Sequence, residues 1–151
     1  GTENPLDVLN KEAVGDVPMK AAILFNVCGL TKDKIRARDV VRKELQENDL
    51  SILVREAKKR RYIVSITKCD EPEDVIGGFR SQVGDWIISA GFKNVNENPL
   101  YYSLMPGGVN NSLLISEGKY GKDGHYTVSG PGAGAAPTAS TMIKDAIDLL
   151  K

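Results

Sequence analysis

The chain has 151 residues and carries 20 basic and 20 acidic side chains, so its formal net charge is zero. This balance gives no electrostatic reason to expect nucleic acid or an anionic membrane as a partner, and no apolar run is long enough to cross a bilayer. Two cysteines and one histidine provide neither a disulfide framework nor the spacing of a zinc site, which predicts one reduced, cytoplasmic domain over residues 1–151 without a bound metal.

The first half of the chain predicts two helices and two strands. Asp16 is placed as the N-cap of a helix that has Pro18 in its first turn and ends at Gly29. Alternating polarity over residues 35–45 favours a half-exposed strand, although helix remains an alternative there.

A second helix and a strand follow. The helix is indicated by apolar residues at helical spacing and ends in the basic run 58–61, where the helix dipole favours positive charge. The strand is indicated by the β-branched residues of 62–67. The apolar residues of this helix are Leu50, Leu53, Val54 and Ala57.

The second half predicts a turn-rich segment at 70–78, a strand at 86–90, and a hairpin of strands 113–115 and 126–128. An apolar face over residues 139–150 predicts a closing helix. The expected fold is therefore α/β (α+β), with a mixed, largely antiparallel sheet of four to five strands and about three helices packed on one face. Such a sheet needs cover on its other face, which predicts a homodimer through apolar side chains of the strands: Ile63, Ile66, Ile87 and Leu114.

A glycine-rich segment precedes the closing helix. Gly130, Gly132 and Gly134 alternate with proline and alanine, which removes nearly every side chain from a turn and lets backbone N–H groups approach a phosphate or cofactor. Too few residues follow Ser140 to complete a dinucleotide-binding βαβ unit. The segment therefore predicts contact with a cofactor that this chain cannot wrap.

Asp16 and Lys20 are four residues apart, which places them on one helix face with the acid nearer the N-terminus. A solvated surface ion pair is the simpler interpretation of this spacing. Glu3 and Asp7 lie upstream and could add carboxylates to the same corner.

Three stretches occur in the order typical of homoserine dehydrogenases, and the chain resembles the substrate-binding region of that family. They are the acidic Thr2-Glu3 with Pro5 and Asp7-Val8, followed by Gly15-Asp16-x-x-x-Lys20-Ala21-Ala22-Ile23-Leu24; Asn98-Pro99-Leu100 with Gly107-Gly108-Val109-Asn110; and Gly130-Pro131-Gly132-Ala133-Gly134 through Pro137-Thr138-Ala139-Ser140 to Asp145.

The resemblance implies hydride transfer between NAD or NADP and the substrate pair L-homoserine and L-aspartate 4-semialdehyde. It implies that Lys20 assists proton transfer at the carbonyl oxygen and that Asp16 and Glu3 hold the substrate ammonium. It also implies that Gly130, Gly132 and Gly134 contact the nicotinamide side of the cofactor.

The sequence departs from the family pattern in two places. Lys11 and Glu12 stand where a further acidic residue and a glycine are expected, and the N-terminal nucleotide-binding domain, with its second lysine, is missing. The chain is therefore expected to be the C-terminal, substrate-binding and dimer-forming half of such an enzyme. Two alternatives stay open: a non-catalytic amino-acid-binding or regulatory module, and a purely structural dimerisation domain.

Overall fold

A computed structural model describes residues 3–11, 16–40, 42–68, 74–96, 110–117, 122–131, 143–144 and 147–148. The chain divides into two compact units, Gly1–Val95 and Asn96–Lys151. Within the described ranges, no helix has the length and apolar character needed to cross a membrane.

Three helices belong to the first unit: α1 (Pro5–Lys11), α2 (Val17–Cys28) and α3 (Glu47–Arg55). Helix α2 begins directly after Asp16 and ends at Gly29, whose φ of 63° is a left-handed conformation that glycine adopts at little cost. At the start of α3, the Gln46 backbone N–H donates to the Asp49 carboxylate at 2.9 Å, which satisfies a donor that the helix leaves unpaired.

The first unit also contains a four-stranded antiparallel sheet with the strand order β1-β3-β4-β2. Its strands are β1 (Arg42–Lys43), β2 (Arg60–Thr67), β3 (Val75–Val83) and β4 (Trp86–Asn94). A bulge interrupts β3 between Ile76 and Phe79, where Gly77 and Gly78 both have a positive φ. A side chain at Gly78 would collide with the Ala90 carbonyl, so the bulge requires glycine there.

All three helices pack on one face of this sheet. Alternate residues of β4 point to that face: Ile88 and Ala90 meet Phe25 of α2, and Phe92 packs against the cluster around Leu53 of α3. Residues Leu6 and Leu9 of α1 complete that second cluster.

The second unit contains a hairpin of β5 (Asn110–Glu117) and β6 (Gly124–Pro131). Residues directly opposite each other share a face, and the pairs Leu113–Val128 and Ile115–Tyr126 therefore form one apolar surface. All four side chains are between 48 % and 77 % exposed. Residues 143–144 and 147–148 are helical, and the rest of the predicted closing helix lies outside the described residues.

The predicted α+β fold, with antiparallel strands and helices on one sheet face, is confirmed. The structure divides the described strands between two sheets rather than one. Two segment predictions were wrong. The strand expected over 35–45 is a 3₁₀ turn at Ala37–Asp39 followed by the two-residue β1, and the turn expected over 70–78 gives way to β3 from Val75 onwards.

The four side chains predicted for dimerisation do not form one surface, although Ile63 does lie on the sheet face away from the helices. Ile66 packs against the core on the helix side of the sheet, and Ile87, on the opposite side, is only 6 % exposed. Leu114 belongs to the separate hairpin, on the face opposite its exposed apolar pairs.

Candidate active site

The ion pair predicted between Asp16 and Lys20 is formed. Lys20 Nζ lies 2.5 Å from Asp16 Oδ2, and the Lys20 side chain is 69 % exposed. Asp16 does occupy the N-cap position of α2, but its side chain makes no capping hydrogen bond, and its backbone is already helical at φ −82° and ψ −41°. A capping side chain needs an extended backbone at its own residue, so this carboxylate is directed to Lys20 instead.

Helix α2 is apolar on both faces. Its buried face consists of Pro18, Ala21, Ala22 and Phe25. The exposed face carries large apolar side chains that are 38 % to 78 % exposed: Met19, Ile23, Leu24 and Val27. At 100° per residue, the Asp16–Lys20 pair falls in the middle of this exposed face. Large apolar side chains therefore flank the ion pair on α2, whereas an ordinary solvated helix face is polar.

The side chain of Asn26 forms two hydrogen bonds near the C-terminal end of α2, which we call the Asn26 clamp. The Asn26 side chain donates to the Ile35 carbonyl at 2.8 Å and accepts from the Ile35 backbone N–H at 3.0 Å. These two bonds fasten the segment after α2 to the helix, while Ala21 and Phe25 are packed into the core. The helix that carries Lys20 is thus fixed on one side and open on the other. Asn26 could not be recognised from the sequence. A single asparagine inside an apolar helix does not indicate that its side chain binds the backbone of Ile35, nine residues away.

The other predicted site residues have different surroundings. Glu3 is exposed ahead of α1 and, within the part of the chain that the structure describes, forms no ion pair with Lys20. Gly130 was expected in a turn but is a strand residue of β6, paired with Asn111. A Cβ atom at Gly130 would have no neighbour within 4 Å, so an approaching group would find its backbone open. Gly132 and Gly134 lie outside the described residues.

Arg60, which the sequence indicated only as part of a basic helix terminus, has a buried guanidinium that pairs with two partly exposed carboxylates. Its guanidinium donates to Glu56 Oε2 at 2.7 Å, to the Asp74 carboxylate, and to the carbonyls of Asp74 and Phe92 at 3.2 Å each. Burial acts to lower the pKa of Arg60, but its hydrogen bonds to Asp74 and Glu56 and the charges of these carboxylates outweigh burial, and the pKa is raised. The hydrogen bond from Arg60 lowers the pKa of Glu56. This cluster joins the end of α3 to β3 and β4.

Two further polar groups are buried in the sheet. The Lys93 ammonium, in a residue only 1 % exposed, donates to Ser65 Oγ at 2.8 Å and Ser89 Oγ at 2.9 Å. Tyr62 lies on the helix side, with its ring edge-on to Phe92 at 5.0 Å. Its hydroxyl has no hydrogen-bond partner in the described structure, and burial raises the pKa of Tyr62 to about 12.

No three histidine, cysteine, aspartate or glutamate side chains converge as a metal site in the ranges that the structure describes. The described strands are all paired antiparallel. They therefore form no βαβ unit, which a dinucleotide site of the Rossmann type requires.

The family model for homoserine dehydrogenase matches residues 13–147. The chain belongs to the homoserine dehydrogenase family. This family is one of oxidoreductases in amino-acid biosynthesis, and its match to the chain spans both compact units. The matched range includes Asp16, Lys20 and the glycine-rich segment, whereas Glu3 lies before the first matched residue. No curated protein and no solved structure matches the chain significantly.

Proposed function

We propose that this chain is the substrate-binding and catalytic half of an NAD(P)-dependent homoserine dehydrogenase, interconverting L-homoserine and L-aspartate 4-semialdehyde in threonine and methionine biosynthesis. The observation that carries the proposal is the Asp16–Lys20 pair in the middle of an exposed apolar helix face. Family membership supplies the reaction type. We treat the two compact units as one functional half, over residues 1–151.

Lys20 is proposed as the proton-transfer residue. NAD or NADP, when bound, supplies the hydride acceptor and donor for the substrate carbon. In the direction of reduction, Lys20 Nζ donates a proton to the carbonyl oxygen as negative charge develops there. In the direction of oxidation, Nζ takes the hydroxyl proton back. The Lys20 side chain is 69 % exposed, so its ammonium can contact a substrate while it is paired with Asp16.

The carboxylates are proposed to hold the substrate amino group. Asp16 Oδ2 contacts Lys20, and the second oxygen of this carboxylate would accept a hydrogen bond from the substrate ammonium. Glu3 is retained as the second carboxylate on the basis of the family resemblance. One carboxylate that contacts both Lys20 and the substrate would fix the distance between the lysine and the reacting oxygen.

The exposed apolar side chains beside the Asp16–Lys20 pair indicate a surface on which another domain docks. A nucleotide-binding domain docked on Met19, Ile23, Leu24 and Val27 would remove water from Lys20 and strengthen its electrostatic effect on the substrate. The contact of Gly130, Gly132 and Gly134 with the nicotinamide side of the cofactor is proposed separately, on the family resemblance alone. The proposed partner is therefore a nucleotide-binding domain of the same enzyme.

A homodimer is proposed through the β5–β6 hairpin. Its four exposed side chains, in two directly opposed pairs, form a continuous apolar patch. A two-stranded sheet is marginally stable alone and needs further strands or packing against its apolar face. A second copy would supply the same patch across a two-fold axis. The free, exposed thiol of Cys28 fits a reducing compartment, so we place the protein in the cytoplasm.

The alternative is an amino-acid-binding or regulatory module that has no catalytic step. Both proposals require the amino-acid site, but only the enzyme requires Lys20 for turnover. The module is favoured if the chain binds L-homoserine and never supports its oxidation.

The first experiment titrates the 151-residue chain with L-homoserine. The NMR chemical shifts of the α2 residues are measured at each point of the titration. Shifts at residues 16–24 that disappear in Asp16→Asn are expected, because the carboxylate holds the substrate ammonium. Asp39→Asn, on the 3₁₀ turn, is the matched control. The chain alone should oxidise no homoserine with NAD or NADP. An unchanged titration in Asp16→Asn would contradict the assignment of the site, and turnover by the isolated chain would contradict its assignment as a half-enzyme.

A further inference from the structure

We draw no further inference here: the strongest candidate, the buried Lys93–Ser65–Ser89 cluster between β4 and β2 on the sheet face away from the helices, has its ammonium hydrogen-bonded to both hydroxyls, and nothing in the structure shows a substrate or partner that reaches it.

Discussion

At the scale of single residues, the Asp16–Lys20 pair contributes little to the stability of the fold. An exposed ion pair four residues apart on a helix contributes about 0.3–0.5 kcal/mol. Asp16 adds no capping bond, so the loss of about 1 kcal/mol expected for a cap does not apply here. Either residue can therefore be replaced without unfolding α2, and a change in activity can be attributed to the site.

Arg60, in contrast, is expected to contribute to stability. Its guanidinium is buried and donates hydrogen bonds to two carboxylates and two carbonyls. We expect Arg60→Met to destabilise the fold by about 2 kcal/mol or more, since the carbonyls and carboxylates lose their donor. Arg55→Met is the matched control: its side chain is 72 % exposed and pairs with the same Glu56 at 3.5 Å. Its expected cost is below about 0.5 kcal/mol. Urea unfolding measures both, and equal losses would show that Arg60 is not a structural link.

Glu56 makes the stability of the fold depend on pH. Arg60 holds its pKa below the usual value, so the unfolded chain takes up a proton at higher pH than the folded chain does. The contribution is thus fully present above the ordinary glutamate pKa and is lost as pH falls through the lowered folded pKa. Unfolding free energies measured from pH 6 to pH 3 should fall less steeply in Glu56→Gln than in the wild type. Glu44→Gln, an exposed residue before α3, should leave the slope unchanged. Equal slopes in all three proteins would contradict the role of this pair.

At the scale of elements, two of the exposed apolar surfaces among the described residues are the outer face of α2 and one face of the hairpin. Each is produced by sequence periodicity: residues 19, 23 and 27 recur every four positions, and residues 113 and 115 every two. A helix with large apolar side chains on its exposed face and a hairpin face of four large apolar side chains both fit surfaces that are covered in an assembly.

The hairpin surface gives a test of the dimer. We expect Ile115→Lys to shift the chain towards a monomer in sedimentation, because it places a charge in the middle of the apolar patch. Ser116→Lys introduces the same charge one residue further along β5, on the opposite face, and should leave the dimer intact. A monomeric wild-type mass at high micromolar concentration, or equal effects of the two lysines, would contradict the proposed interface.

The elements predicted well from sequence are those with one dominant local signal. The β-branched content of β2 and β4 and the apolar segments of the hairpin mark them as strands. Strand β3 has no such signal, since Gly77 and Gly78 imitate a turn and Arg80 and Gln82 are polar. Its strand state depends on pairing with β4, and its glycines serve the bulge. The alternation in 35–45 failed for the related reason that only β1 finds a partner strand.

At the scale of the whole molecule, the described strands form two antiparallel sheets, and family membership covers both units. Sequence alone found the family and the Asp16–Lys20 pair, because short-range spacing on a helix can be read from the chain. It could not find the Arg60 cluster or the Asn26 clamp, whose partners are set by tertiary packing. The place of Gly130 in β6 likewise depended on its register with Asn111.

The central claim is that Lys20 transfers the proton in homoserine oxidation, and kcat tests it most directly. The measurement compares wild type, Lys20→Ala and Lys34→Ala in an enzyme that joins this chain to a nucleotide-binding domain of the family. Lys34 is an exposed lysine outside α2 and serves as the control. We expect Lys20→Ala to lower kcat by about 10² or more with a smaller change in KM, and Lys34→Ala to leave both unchanged. A near-normal kcat in Lys20→Ala would show that the Asp16–Lys20 pair is an ordinary surface salt bridge. This result would contradict the proposal that Lys20 transfers the proton.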